Sequence, residues 1–366
     1  MKDLRVLIAC GGTGGHIFPA VALAEKLKEQ RPEASILFAG VLSEHMQEML
    51  KSSGYEVNPF TAKGMPRKFN ILLFPFIVNT SLAVYKAFRI LKKWRPYVII
   101  SMGSFSGGPF VLAARLTGLP VLIHEQNLLP GRANRISAYF TDKIATSFDD
   151  TSNFFSKTAR PKIVFTGNPV RKEIFNSDRK QALDSFGLEE GKFTILVMGG
   201  SQGSHAINKI FVEVAQDLDK KNFQILHISG KQDFDFVNNF YKSIGITNKV
   251  VSFFDKMGQA YAICDLIVCR SGAITIAEIT SLGIASILIP YPYGDAHQKQ
   301  NADILKNQGA AFVIQEADLT KDNLSKIINN IFSDKAQLSL MRENSKKLAR
   351  PDAAEKLTRE VMSLIK

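Results

Sequence analysis

Cysteine is scarce in this 366-residue sequence, with Cys10, Cys264 and Cys269 its only three. The number is odd, each lies within an apolar segment, and no C-x-x-C spacing occurs, which excludes a zinc ribbon or a disulfide framework. Buried, reduced thiols are expected. Long apolar runs are missing as well. The longest, residues 71–78, contains Pro75, whereas a membrane-spanning helix needs about 20 apolar residues. Asp3 and Arg5 precede a short apolar stretch that runs straight into Gly11, without the length or cleavage pattern of a secretory signal. It reads as the first strand of a cytosolic protein. No Pro, Ser or Gln tract is present, and 45% hydrophobic with 22% charged residues is ordinary for a soluble globular chain. Disordered, collagenous and mucin-like classes are excluded.

Carboxylates are absent from residues 57–124, a stretch that carries nine basic residues: Lys63, Arg67, Lys68, Lys86, Arg89, Lys92, Lys93, Arg95 and Arg115. The whole chain has 46 Lys and Arg against 34 Asp and Glu, a net charge of +12, so much of the excess is concentrated here. Such a field attracts an anionic partner. Among these cations lie Phe69, Ile71, Leu72, Leu73, Phe74, Phe76 and Ile77, then Val84, Ala87, Phe88, Leu91 and Trp94 at helical spacing. Apolar side chains framed by cations fit an anionic membrane surface, and nucleic acid would not reward the aliphatic part. The alternative is a core segment with a solvated lysine rim. The charge imbalance favours the membrane.

At about 100 to 200 residues per domain, the length suggests two domains. Residues 4–10 form a strand-like segment, continuously apolar from Val6 to Cys10 and ended by Gly11 and Gly12, then Ala20, Leu23, Ala24 and Leu27 recur at helical period. This is a buried parallel strand with its crossover helix. Further strands fit 35–39, 98–101, 121–124 and 143–146. Alternating strands and helices imply an α/β, doubly wound sheet. Turn residues from Thr166 to Pro169 place a junction near Gly167. The second half starts the same way: a strand at 193–198, a loop Gly199-Gly200-Ser201-Gln202-Gly203-Ser204, and a helix at 206–218. The expectation is two Rossmann-like domains facing across a cleft, 1–167 and 168–350. Beyond Pro351, Asp352 is placed to cap a last helix, 351–366, whose stripe of Ala354, Leu357, Val361 and Ile365 packs back as a lid or strut.

Glycine-rich turns between strand and helix let backbone amides approach an anion. Two occur, at 11–15 and 199–203, but the first fails the dinucleotide fingerprint because the third glycine position falls on Ile17. No Gly-Lys-Ser or Gly-Lys-Thr makes it a P-loop. A third turn, Arg270-Ser271-Gly272-Ala273, opens a helix over about 274–282 and would present amides from Gly272 to Thr275. Glu278, one turn beyond Thr275, stands where the hydroxyls of a nucleotide ribose would lie, or is a solvated helix residue. After an apolar strand at 285–289, Asp295 and Gln298 have capping-box spacing, which leaves Gln300 and Asn301 unexplained. A run of amides at a strand's carboxyl end suits a sugar. Asp233-Phe234-Asp235 spells a metal-binding word but lacks a supporting motif and reads as surface charge.

In chain order stand Gly11-Gly12-Thr13-Gly14-Gly15-His16, His124-Glu125-Gln126-Asn127 with Gly131 and Asn134, and Gly167-Asn168-Pro169-Val170-Arg171. Gly199-Gly200-Ser201-Gln202-Gly203, Cys269-Arg270-Ser271-Gly272-Ala273 with Glu278, and residues 295–302 follow. Together they resemble the MurG family of peptidoglycan N-acetylglucosaminyltransferases over essentially the whole chain. The resemblance implies a two-domain GT-B fold and inverting transfer of GlcNAc from UDP-GlcNAc to the C4 hydroxyl of MurNAc in undecaprenyl-pyrophosphoryl-MurNAc-pentapeptide (lipid I). The products would be lipid II and UDP.

Carried over by motif, the donor would meet Thr13, Gly14, Gly15, Asn127, Arg171, Ser201, Phe254 beside the uracil, and Ala273, Ile274, Thr275, Ile276, Ala277 and Glu278. Glu278 would hold the ribose and Gln298 the GlcNAc. The acceptor and membrane side would use Gly103, Ser104, Lys68, Ile71, Leu72, Phe74 and Phe76. Here the chain departs from the family, having Gly103-Ser104-Phe105 where Gly-Gly-Tyr is common. The resemblance places the protein peripherally on the cytoplasmic face of the membrane, with other cell-wall synthesis proteins as candidate partners. It implies no cofactor, no metal and no nucleic acid.

Inversion needs a base for the acceptor hydroxyl and stabilisation of charge on the departing diphosphate. Backbone amides near Ser201 and from Gly272 to Thr275 are expected to supply the second. His16, an imidazole titrating near neutral pH on the first loop, is the expected base, with Glu125 the alternative or His16 purely structural. Competing readings are a UDP-GlcNAc 2-epimerase of the same plan, a catalytically inactive peripheral membrane adaptor and, given the failed fingerprint, a dinucleotide oxidoreductase.

Overall fold

A computed structural model describes residues 4–12, 14–62, 73–293 and 297–365, with backbone alone for 73–75. Thr13, Lys68, Ile71, Leu72 and Asp295 therefore lie outside the described residues, as does the side chain of Phe74. The chain divides into two compact units, Met1–Val170 with Arg350–Lys366, and Arg171–Ala349.

The first unit runs β1 (Arg5–Ala9), α1 (Gly14–Gln30), β2 (Ser35–Gly40), α2 (Glu44–Ser52), β3 (Glu56–Pro59), α3 (Leu73–Trp94) and β4 (Val98–Ser101). It continues through α4 (Ser104–Thr117), β5 (Val121–Glu125), α5 (Arg132–Ser137), β6 (Lys143–Thr146) and β7 (Ile163–Phe165). All strands are parallel, in the order β3-β2-β1-β4-β5-β6-β7. Successive side chains of a strand face opposite ways, so β1 feeds two cores. Val6 and Ile8 pack with Ile17, Leu23 and Leu27 of α1, whereas Leu7 and Ala9 pack with Ala83, Ala87 and Leu91 of α3 and Phe110 of α4. Burial on both faces is why the run is uniformly apolar from Val6 to Ala9.

The second unit runs α6 (Arg179–Phe186), β8 (Phe193–Met198), α7 (His205–Ala215), β9 (Phe223–Ile228), α8 (Phe234–Ile244), β10 (Asn248–Val251), α9 (Met257–Ala262) and β11 (Leu266–Cys269). It ends with α10 (Ala273–Leu282), β12 (Ala285–Leu288), α11 (His297–Asn307), β13 (Ala311–Val313), α12 (Lys321–Ser333) and α13 (Lys335–Lys347). The parallel sheet is ordered β10-β9-β8-β11-β12-β13. In each sheet the first strand sits between its sequential neighbour and a later strand, β1 between β2 and β4, β8 between β9 and β11. This is the switch point at which α/β sheets open a crevice at the strands' carboxyl ends.

The last helix, α14 (Ala353–Met362), returns to the first unit. Leu357 and Val361 are fully buried among α1 and β1 residues, each contributing about 1.5 to 3 kcal/mol. Lys143 at the start of β6 pairs with Glu360. Asp352 stands at the N-cap position but caps no backbone amide. Its carboxylate instead takes the Lys356 ammonium at 2.8 Å, which corrects the expected capping role. All three cysteines are free and buried. Among the described residues no helix is long and apolar enough to cross a membrane.

Candidate functional site

In the first unit, three loops at the carboxyl ends of β1, β4 and β5 converge on His16. Its ring is half-buried, with Nδ1 at 2.8 Å from the Met102 carbonyl oxygen and 3.2 Å from Gln126 Oε1. Burial lowers the imidazole's pKa from its usual value, and the nearby Glu125 charge opposes that. Gly103 adopts φ 78° and ψ −156°, a region open essentially to glycine alone. A β-carbon there would come within 3.4 Å of the His16 ring and 3.2 Å of Asn134 Nδ2. Ser104, where the family has a second glycine, keeps a left-handed φ of 67°. The departure from Gly-Gly-Tyr thus leaves the turn in a left-handed conformation that glycine would adopt without strain.

Glu125 is buried, and its two oxygens are engaged. Oε1 accepts from the Asn127 amide at 2.9 Å and Asn127 Nδ2 at 3.3 Å, and Oε2 from the Gly131 amide at 3.0 Å and Asn134 Nδ2 at 2.8 Å. Four donors on one carboxylate hold the 126–134 loop in shape. Asn127 therefore faces Glu125 with its amide. Gly14 is buried and Gly15 exposed at the start of α1.

On the other face of the same sheet, α3 turns Ile77, Val78, Leu82 and Tyr85 outward, 53%, 43%, 55% and 57% exposed, beside the exposed Lys86, Arg89, Lys92 and Lys93. Ile77 and Val78 are not core residues, so the core alternative fails for them. Phe76 is half-buried and lines an apolar cavity of about 130 Å³ with Thr80, Ala83, Phe105, Leu112 and Ile136.

The second unit gathers the remaining candidates. The 199–204 loop leads into α7, and Gly203 adopts φ 79° where a β-carbon would strike the Ser229 carbonyl at 2.2 Å. Ser204 does not cap α7 because its hydroxyl accepts from Arg270 Nη2 at 2.7 Å. Arg270 also donates to the Ile289 and Pro290 carbonyls, pairs with Glu316 and lies 5.4 Å over the Tyr291 ring. It ties together the loops after β8, β11 and β12. No side chain caps α10 at Gly272, so its first amides point out of the helix start.

On α10, Ala273, Ile276 and Glu278 are buried, and Ile274, Thr275 and Ala277 half-buried. Glu278 is no solvated helix residue. Tyr261 donates to its Oε2 at 2.8 Å, and Arg171 Nη2 lies 3.7 Å from Oε1. Burial pushes its carboxyl up to about 7, against the pull of Arg171. Phe254 leans on Phe186, ring centroids 5.1 Å apart. Gln298 Oε1 accepts from the Tyr291 amide at 3.0 Å. Asn301, fully buried, donates to the Ser271 carbonyl at 3.4 Å, a structural task linking α11 to the β11 loop. Ser201 is exposed in its loop.

Asp233 is more than surface charge, which corrects the reading of Asp233-Phe234-Asp235. It is largely buried and accepts from Asn208 Nδ2 at 2.8 Å and His205 Nδ1 at 3.0 Å. Among the described residues no cluster of three or more His, Cys, Asp or Glu side chains could hold a metal. Sequence reasoning missed Tyr261, Arg270 and Gln126. Gln126 and Arg270 carried a signal, as unassigned members of His124-Glu125-Gln126-Asn127 and Cys269-Arg270-Ser271-Gly272-Ala273, whereas Tyr261 carried none.

Two parallel α/β units of seven and six strands, with glycine-rich turns at their carboxyl edges, define the GT-B class of glycosyltransferases. Residues 6–146 match the glycosyltransferase family 28 N-terminal domain and residues 194–357 the family 28 C-terminal domain. The chain is 37% identical to the UDP-N-acetylglucosamine–N-acetylmuramyl-(pentapeptide) pyrophosphoryl-undecaprenol N-acetylglucosamine transferase of a Thermoanaerobacter species, covering 99% of this chain and 100% of that protein. The corresponding transferase of Listeria monocytogenes is 36% identical over the same shares. Among solved structures, Acinetobacter baumannii MurG superposes with a TM-score of 0.75 at 27% identity, covering 99% of this chain and all of that one. A UDP-GlcNAc 2-epimerase from Neisseria meningitidis, bound to UDP-GlcNAc, reaches 0.70 at 15% identity over 99% and 100%, a likeness of fold alone. The chain belongs to the MurG family.

Proposed function

We propose that this enzyme transfers GlcNAc from UDP-GlcNAc to the C4 hydroxyl of MurNAc in lipid I, with inversion, forming lipid II and UDP. The observation that carries the reading is membership of the MurG family over 99% of the chain. The second unit is the donor side. Glu278 holds the ribose hydroxyls, steered by Tyr261 and Arg171, Phe254 lies beside the uracil, and Gln298 meets the GlcNAc. Amides of the 199–203 loop and of the α10 start face the diphosphate, where fixed dipoles stabilise charge without reorganising.

The first unit, with its returning C-terminal helix, is the acceptor side. Gly103 and Ser104 shape the turn that receives the acceptor diphosphate, next to His16. In the reaction, His16 Nε2 takes the C4 hydroxyl proton as the new O–C1 bond forms and the bond from C1 to the UDP oxygen breaks. Glu125 organises the loop with Asn127 and is not the base, because four donors already occupy it. Gly14 and Gly15 open α1 immediately before His16.

The outward Ile77, Val78, Leu82 and Tyr85 with their neighbouring cations support docking on the anionic cytoplasmic face of the membrane, where the lipid acceptor resides. Peripheral attachment of this kind leaves room for contact with other cell-wall synthesis proteins. Labelled sugar transfer from UDP-GlcNAc to a lipid I analogue tests the proposal. UDP release that needs the lipid is expected; UDP-ManNAc formation without it would indicate the 2-epimerase reaction instead.

A further inference from the structure

The proton positions around His16 can be deduced from two backbone carbonyls. Met102 O lies 2.8 Å from His16 Nδ1 and 2.9 Å from Gln126 Nε2, and Gly167 O lies 3.2 Å from His124 Nε2. A carbonyl only accepts, so His16 carries its proton on Nδ1 and His124 on Nε2. His124 Nδ1 is then a bare acceptor, and the Gln126 atom facing it at 3.1 Å must be the amide nitrogen. That orientation turns Gln126 Oε1 towards His16 Nδ1–H at 3.2 Å as a second acceptor. Reversing the amide would set oxygen against the Met102 carbonyl and leave His124 Nδ1 without a donor. A single arrangement satisfies all three side chains, and in it His16 Nε2 has a lone pair and no proton.

We infer that Gln126, itself oriented by His124, is a positioning residue that locks His16 in the Nδ1–H tautomer and so keeps Nε2 bare for the acceptor hydroxyl. The inference rests on the reading of His16 as the base. When Nε2 takes the proton, the resulting imidazolium keeps Nδ1–H on Met102 O and Gln126 Oε1, so no hydrogen bond has to be rebuilt during transfer. The charged group facing the ring is Glu125, one residue before Gln126, which favours the imidazolium. His124 stays neutral across the working range, because burial lowers it to about 4.

The test uses the full-length protein with 15N-labelled histidine. Above the titration of His16, its ring nitrogens are expected to report protonated Nδ1 and bare Nε2; a protonated Nε2 in the unmutated protein would overturn the inference. Gln126→Glu sets a carboxylate beside Nδ1–H and is expected to move the acid limb of the kcat/KM pH profile up by about one unit. Gln126→Met removes an acceptor and is expected to move it down. A side chain that only packs would lower the rate in both variants without moving the limb, and that outcome would refute the inference while His16→Ala stayed inactive. Full activity of His16→Ala would instead remove the base reading itself, and the inference with it.

Discussion

Tyr261, near the end of α9, donates its hydroxyl hydrogen to Glu278 Oε2 on α10 at 2.8 Å, and both residues are buried. The bond draws the carboxyl down against the burial that raises it. Tyr261→Phe removes that pull, leaves Glu278 more protonated at neutral pH, and is expected to weaken UDP binding by about 1 kcal/mol. Calorimetric titration with UDP measures it, and unchanged affinity would leave Tyr261 a packing residue.

Glu278 itself accepts best from ribose hydroxyls when ionised, and its carboxyl titrates near 7. UDP affinity is expected to rise as pH increases through 7, and binding near that pH to release protons, visible as a buffer-dependent heat. Glu278→Gln should flatten the dependence. Glu278→Ala is expected to weaken UDP-GlcNAc by about 1 to 3 kcal/mol.

Replacement of His16 by alanine removes the proposed proton acceptor, a residue of the first unit. A fall in kcat of roughly 100-fold or more is expected, with UDP affinity little changed. Single-turnover transfer alongside donor titration separates the two.

The Gly103 turn gives a paired prediction. Gly103→Ala forces a β-carbon into a backbone region nearly closed to it and against His16, so a loss of about 1 to 3 kcal/mol in stability is expected together with reduced kcat. Ser104→Gly relieves a left-handed residue and should gain up to about 1 kcal/mol. Thermal melts of the two variants should move in opposite directions.

Membrane docking through α3 predicts that Leu82→Asp, or neutralising Lys86, Arg89, Lys92 and Lys93 together, abolishes sedimentation with vesicles rich in anionic lipid. Each cation near such a surface is worth about 1 kcal/mol, and unmutated binding should fall as salt rises. Transfer to a short-chain, soluble acceptor should survive both changes.

The fold was legible where strands are buried on both faces. β1, β2, β4, β5, β8, β11 and β12 stand out as largely apolar runs, and β6 keeps only Ile144 and Ala145 as apolar residues. β3 and β10 lie at sheet edges and are half-exposed, so no run marks them. β9 is wholly buried, yet Gln224 and His227 interrupt its pattern. Both are satisfied by distant partners, Gln224 by Glu189 and Thr194, His227 by Tyr241 and Asn208. No local rule anticipates those contacts. In the same way, motif glycines and Glu278 could be picked out by spacing, but the bonds from Tyr261 to Glu278 and from Met102 and Gln126 to His16 join segments that only the folded sheet brings together. Asp352 and Asn301 show the converse: spacing or polarity suggested a task, and a nearer partner took the side chain.

The return of α14 to the first unit has a consequence during synthesis. Leu357 and Val361 complete a core begun by β1, but they leave the ribosome after every strand of the second unit. The earliest-made sheet must therefore wait, with one face incompletely covered, until translation is nearly over, while the later-made unit can already close. A released chain truncated after Ala349, the end of the second unit, should hold a finished second unit and a protease-sensitive first one.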